Sequence, residues 1–241
     1  MEQNISVEFK NVSKEYKLSK KASNKISFLL FHKKKLNRKK VLNNISFKIK
    51  KGEAVAILGK NGMGKSTIIK LLSQISYPTS GDIYTNGKIR SIIELDAGFE
   101  NDFTGRENIY LKCRILDLKK EEIDKILDSI IDFADIGEYI DQPVRSYSSG
   151  MRARLGFSII SHIKSDILAV DEVFSVGDFR FKQKCLNKIT EIKNDENITF
   201  ILVTHSCEMA QKFCKRGLLL DNGKILYDGN IDTCVQKYLS L

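Results

Sequence analysis

Nine consecutive residues, Gly59-Lys60-Asn61-Gly62-Met63-Gly64-Lys65-Ser66-Thr67, restrict what this chain can fold into more than any other stretch. They fit G-x-x-x-x-G-K-[ST], the pattern of a loop that cradles phosphate between a strand and a helix. Both flanks are legible. The apolar run Ala54 to Leu58 leads in, and the helical spacing of Ile68, Ile69, Leu71 and Leu72 leads out. Phosphate oxygens must come close to the main chain, so side chains are expected to be absent at Gly62 and Gly64. Backbone N–H groups at the helix start then face the anion, and the helix dipole favours negative charge there. Lys65 is placed to reach the outer phosphates and Ser66 to offer its hydroxyl to Mg²⁺. Gly59, Asn61 and Thr67 complete the binding loop.

The rest of the chain reads as alternating strands and helices. Residues 5–12 and 41–49 alternate like two paired strands, separated by an insertion over 17–40. Tyr77-Pro78-Thr79-Ser80-Gly81 is a turn. Residues 82–95 hold two short strands broken at Asn86-Gly87, a hairpin signal. Residues 104–142 are helical in pattern, with Ile123, Ile126, Leu127, Ile130, Ile131 and Ala134 on one face. Residues 146–151 are expected to open a helix running to about Ile163, since serine and glycine suit a helix start. Then follow a strand at 167–172, a helix at 180–193, a strand at 198–204 and a helix at 207–214. A hairpin turning at Asn222-Gly223 comes next, and a short helix at 235–239.

Length and composition set the class. The 241 residues suffice for one large α/β domain, read as a single unit over 1–241 with a helical subdomain at about 96–163. No run of 18 apolar residues occurs, so no membrane span is expected, and the polar start Met1-Glu2-Gln3-Asn4 does not read as a signal peptide. The five cysteines are scattered with no C-x-x-C pair, which argues against a metal or disulfide framework and for a reduced, cytoplasmic setting. The net charge is +10, and residues 17–40 hold ten Lys or Arg and no Asp or Glu; without that stretch the chain is formally neutral. The basicity is therefore local, and no nucleic-acid partner is expected.

Two further positions complete a phosphoryl-transfer constellation. Ile167-Leu168-Ala169-Val170-Asp171-Glu172 is an apolar strand ending in two carboxylates, Asp171 to organise Mg²⁺ and Glu172 to polarise an attacking water. His205, after the next strand, is placed to sense the terminal phosphate. Such chemistry asks for positioning, a metal and charge stabilisation, at the carboxyl ends of parallel strands.

Taken together, these motifs resemble the nucleotide-binding subunit of an ABC transporter across the whole chain. Ser148-Ser149-Gly150-Met151, after Tyr147, is similar to the family signature in a variant form. Ser175-Val176-Gly177-Asp178 resembles the D-loop, His205 the switch histidine, and Tyr16 the aromatic residue that stacks on adenine. The resemblance is closer still to the branch that exports teichoic acids, O-antigens and capsular polysaccharides. It rests there on Tyr147 to Met151, on Asp171 to Asp178 followed by Phe181-Lys182-Gln183-Lys184-Cys185, and on Phe103-Thr104-Gly105-Arg106-Glu107-Asn108-Ile109. It implies an α/β fold, a P-loop NTPase core with an N-terminal antiparallel β subdomain and an inserted α-helical subdomain. It also implies an ATPase using ATP and Mg²⁺, working as a homodimer in which each P-loop faces the partner's Ser148, Ser149 and Gly150. The partners would be a separate polytopic permease and a lipid-linked glycan, at the inner face of the plasma membrane.

Two departures stand out. Most ABC ATPases carry a glutamine that couples Mg²⁺ to the membrane subunit; no Gln lies within 85–105, and Glu94 is the nearest polar candidate for that metal position. Some O-antigen exporters append a carbohydrate-binding domain, and none is expected here. Two readings of 17–40 stand side by side: a solvated basic loop, or a contact with the membrane surface, the permease or an anionic glycan carrier, with Phe28-Leu29-Leu30-Phe31 at its centre. Arg152 and Arg154 read as a solvated face. The alternatives for the whole chain are an ABC ATPase for another substrate, a soluble non-transport ABC ATPase and a P-loop kinase. One cassette without a long coiled-coil insertion disfavours the soluble ATPase, and the signature with His205 disfavours the kinase.

Overall fold

A computed structural model describes residues 4–17, 38–93, 98–171 and 178–241. The chain opens with β1 (Ile5–Lys17), β2 (Arg38–Lys50) and β3 (Ala54–Leu58), then α1 (Lys65–Leu72), β4 (Ser80–Thr85) and β5 (Ile89–Ile92). Next come α2 (Gly105–Ile115), α3 (Lys120–Ala134) and α4 (Ser149–His162), with 3₁₀ turns at Gly137–Asp141 and Val144–Ser146. The last part holds β6 (Ile167–Val170), α5 (Phe179–Lys193), β7 (Thr199–Thr204), α6 (Cys207–Phe213), β8 (Arg216–Asp221), β9 (Lys224–Asn230) and α7 (Ile231–Leu239).

Six strands form the central sheet in the order β5-β6-β7-β3-β8-β9, parallel except for β9. Its middle strands are covered on both faces, which is why they read as unbroken apolar runs. The faces alternate. Val55, Ile57, Ile201 and Val203 join α1 and the first two strands in one core. Ala56, Leu58, Phe200 and Leu202 join α4, α5, α6 and α7 in a second. A separate antiparallel sheet, β2-β1-β4, caps the first core. The fold is the α/β core with an antiparallel β subdomain and a helical insertion.

The helical insertion has its own core, in which Ile123, Ile130 and Ala134 of α3 meet Ile109 and Cys113 of α2. From α4 and its C-cap, Leu155, Ile159 and Ile163 enter this core while Phe157 and Ile160 enter the second sheet core. One helix thus belongs to both units.

The pairing of β1 with β2 reaches Lys17 opposite Arg38, so the two strands run into both ends of the 17–40 stretch. Residues 18–37 lie outside the described residues, as do Glu94 and Glu172. The hairpin at Asn222-Gly223 forms with both residues at positive φ, 45° and 74°, the geometry of a tight two-residue turn. The one expected at Asn86-Gly87 does not. There β4 and β5 leave for different sheets, because Asn86 N–H donates to Ser6 O at 2.8 Å and Lys88 N–H to the Asp166 carboxylate at 2.6 Å. Gly87, at φ 120°, is needed because a Cβ there would sit 2.5 Å from Asp166 Cβ. The last helix starts earlier than expected, at Ile231, because the Asn230 side chain caps it by accepting from Asp232 N and Thr233 N.

Candidate nucleotide site

The loop after β3 is shaped by backbone sterics. Gly64 caps α1 at φ 106°, and a Cβ there would meet Leu42 Cδ2 at 2.9 Å and Val41 O at 3.1 Å. At Gly59 a Cβ would lie 2.5 Å from Leu220 O on the neighbouring strand. Gly62 differs: it sits at φ 82°, and among the described residues nothing lies within 4 Å of where its Cβ would point. Gly59 and Gly64 are thus glycine for packing and chirality, and Gly62 leaves an open approach to the main chain.

Lys65 opens α1 and is only 6% exposed. Its Nζ donates to Gly59 O at 2.7 Å, Lys60 O at 3.1 Å and Asn61 Oδ1 at 3.4 Å. The ammonium is held over the loop by carbonyls, in reach of whatever the loop encloses. Ser66 is exposed beside it in the first helical turn, Thr67 is half-buried, and the Asn61 side chain edges the loop.

Sheet register brings the other positions alongside. Leu58 pairs with Thr204, so Gly59 and His205 leave adjacent strands at the same level. Val170 pairs with Leu202, which brings Asp171 to the end of the next strand over. Asp171 N–H donates to Ile92 O at 3.3 Å, and its side chain is half-buried; His205 is exposed. Lys65, Ser66, Asp171 and His205 therefore share the carboxyl edge of a parallel sheet, where α/β folds bind ligands. Tyr16 stands on β1 opposite Lys39, is 38% exposed, and carries the Lys14 ammonium 5.1 Å above its ring. That aromatic face stands toward the end of the β subdomain that abuts Gly64 through Val41 and Leu42.

The donor set fits a hard cation. Ser66 Oγ and the Asp171 carboxylate are oxygen ligands of the kind Mg²⁺ takes, from two elements on one edge.

Ser148, Ser149 and Gly150 sit on a separate element, the N-terminus of α4. Ser148 caps it by accepting from Met151 N–H at 3.2 Å, and both serines are exposed, so an unshared helix end faces outward. Tyr147 before them is the anchor: its hydroxyl donates to Tyr139 O at 2.6 Å, and burial pushes its pKa up to about 12. The arginines that follow are not a solvated face. Arg152 donates to Asn101 Oδ1 at 3.0 Å. Arg154 donates to Asp135 O at 3.1 Å and pairs with the Asp178 carboxylate. No local pattern announces this, because those partners lie 51, 19 and 24 residues away in sequence. Asp178 caps α5 by accepting from Phe181 N–H, which with Arg154 holds its carboxyl below the usual range. Asn108 is likewise a hidden organiser. Fully buried, its amide donates to Glu100 O, Phe103 O and Thr104 O and accepts from Glu100 N–H.

A phosphate-binding loop on a parallel-sheet edge, beside a carboxylate and a histidine and with a helical insertion, defines a P-loop nucleotide-binding cassette. A family model described as ABC transporter matches residues 42–175, more than half the chain, and the chain belongs to that family. It is 41% identical over 238 residues to an O-antigen export system ATP-binding protein, RfbB, of Klebsiella pneumoniae, covering 96% of each chain. It is 43% identical over 239 residues to the teichoic acids export ATP-binding protein TagH of Listeria innocua, covering 99% of this chain and 71% of that one. Both relatives come from the branch that the sequence resembles. Among solved structures, an ATP-binding subunit of an ABC transporter superposes with a TM-score of 0.76 at 21% identity over 97% of this chain and 93% of that one. That likeness speaks for the fold.

Proposed function

We propose that the chain is the ATP-hydrolysing subunit of an ABC transporter that powers export of a cell-surface polysaccharide, of teichoic acid, O-antigen or capsule type, through a separate membrane permease. The observation that carries this reading is identity above 40% over nearly the whole chain to ATP-binding proteins of O-antigen export and of teichoic acid export. Among the described residues no helix is long and apolar enough to cross a membrane; in this reading the translocation path belongs to a separate permease, and this subunit docks at the inner face of the membrane. The cargo is a lipid-linked glycan.

The roles proposed here draw on the placement of the described residues, with Glu94 and Glu172 assigned from the sequence alone. Loop N–H groups around Gly62 take the phosphates of ATP, Lys65 turns its ammonium from the loop carbonyls to the outer phosphates, and Tyr16 stacks on the base. Ser66 and Asp171 hold Mg²⁺, with Glu94 as a further candidate; when bound, the ion draws charge off the phosphate oxygens. Glu172 polarises water, and His205 contacts the terminal phosphate. In a homodimer, Ser148, Ser149 and Gly150 of each copy present the α4 N-terminus to the nucleotide on the other, so closure depends on ATP.

Lys65→Ala in the native cell tests the reading. The expected result is lipid-linked glycan accumulating inside the cytoplasmic membrane while polymer is lost from the surface. An unchanged glycan balance, with ATP hydrolysis abolished in the purified variant, would withdraw polysaccharide as the cargo.

A further inference from the structure

We propose that Arg154 and Lys184 form a two-cation latch binding the helical insertion to α5, and that Arg154 is thereby a positioning residue for the signature. The case begins with an unfavourable helix end. The last turn of α3 has no basic residue of its own, and it carries Asp132, with Asp135 as its cap. Carboxylates at the negative end of a helix dipole repel it. The compensating charge comes from two other elements. Lys184 on α5 donates to Asp132 O at 3.1 Å and Phe133 O at 3.0 Å, with its ammonium 4.6 Å over the Phe133 ring. Arg154 on α4 donates to Asp135 O at 3.1 Å and lies 3.7 Å from the Asp135 carboxylate.

Arg154 alone reaches a third element. Its second terminal nitrogen pairs with the Asp178 carboxylate, whose other oxygen accepts from Phe181 N–H at 2.9 Å. Its guanidinium rides 4.9 Å over the Phe181 ring, and its side chain is only 19% exposed. One planar fork thus ties the end of α3 to the start of α5 from a helix whose own N-terminus is the signature. A lysine supplies the charge without the fork. The consequence is that Ser148–Gly150 and Asp178 are positioned together: the signature cannot change its angle to the sheet without straining the residue that caps α5. The two partner carboxylates are themselves largely exposed, so the positioning rests on the half-buried guanidinium held at once by the Asp135 carbonyl, the Asp178 carboxylate and the Phe181 ring.

The role in catalysis rests on the ATPase reading above, and the test separates the two. In purified full-length Arg154→Ala, amide hydrogen exchange is expected to accelerate both at 130–136 and at 179–184, without any nucleotide. Acceleration confined to α4 would overturn the latch. In steady-state ATP hydrolysis, kcat is expected to fall about tenfold while a fluorescent ATP analogue binds the P-loop within about twofold of wild type. Arg154→Lys should restore less than about half of the lost rate, and Lys184→Met, which leaves the Asp178 arm intact, should lose only about threefold. A folded Arg154→Ala protein with wild-type kcat would remove the positioning role. Absence of hydrolysis in the wild type would instead sink the ATPase reading and leave the exchange result to judge the latch.

Discussion

The P-loop and the Ser148–Gly150 stretch each present a helix N-terminus, yet they are built in opposite ways. The P-loop is local. Its glycines answer to the strand beside it and to β2, and the Lys65 ammonium donates to Gly59, Lys60 and Asn61, all within six residues of it. The signature is placed from afar, through Asn101, Asp135 and Asp178 and through a core shared between two units. The difference teaches that binding capacity can be encoded in nine residues, whereas orientation has to be encoded in packing.

The largest effect on stability is therefore expected in the insertion. Asn108→Ala removes three donated bonds and one accepted bond from a fully buried amide. Leaving Glu100 N–H and these carbonyls short of partners should cost about 3 kcal/mol. Thermal melting would show this as a drop of about 6–12 °C for a domain of this size. If the drop stayed within a degree or two, the insertion would be held by its apolar core alone, and the contrast with the P-loop would weaken.

In the P-loop the expected loss is smaller in stability and larger in binding. Gly64→Ala forces a side chain into left-handed backbone at φ 106° and against Leu42 and Val41. The conformational cost is about 1–2 kcal/mol. Relaxing it would turn the first N–H groups of α1, so nucleotide affinity should fall by more than the melting temperature suggests; titration of the purified variant with a fluorescent ATP analogue checks this. Wild-type affinity would mean that the helix start tolerates rotation and that the loop is less rigid than its sterics imply.

How much of this was legible in the sequence follows the same division. The P-loop turn between β3 and α1, and the strands that end at Asp171 and at His205, were readable because each is a local pattern, a glycine-rich motif or an apolar run; their meeting on one edge is set by sheet register. The apolar strands were readable because both faces of the sheet are covered. Asn86-Gly87 misled, since a turn dipeptide states that the chain bends and not which sheet receives it; Asp166, about eighty residues on, decided that. Arg154 misled for the same reason. An arginine in a polar helical face reads as solvated until the elements carrying Asp135 and Asp178 are folded against it.

Gly150 gives the smallest expected change in stability and the clearest separation of the two regions. It lies in the first turn of α4 at an ordinary helical φ, and a Cβ there would find only Ser148 Oγ, at 3.8 Å. Nothing among the described residues requires a glycine there. Gly150→Ala should therefore leave the melting temperature unchanged or raise it, by the roughly 0.5–1 kcal/mol that alanine gains over glycine in a helix. Gly64 is a glycine for the sake of its own fold; Gly150, by this geometry, is one for the sake of whatever closes on it. If Gly150→Ala lost ATP hydrolysis while keeping its stability and its P-loop affinity for nucleotide, the requirement would lie outside the monomer, as a second copy facing the signature demands. Full activity would mean that no group approaches Gly150 closely during turnover, and the two-copy arrangement would have to place its contact elsewhere on α4.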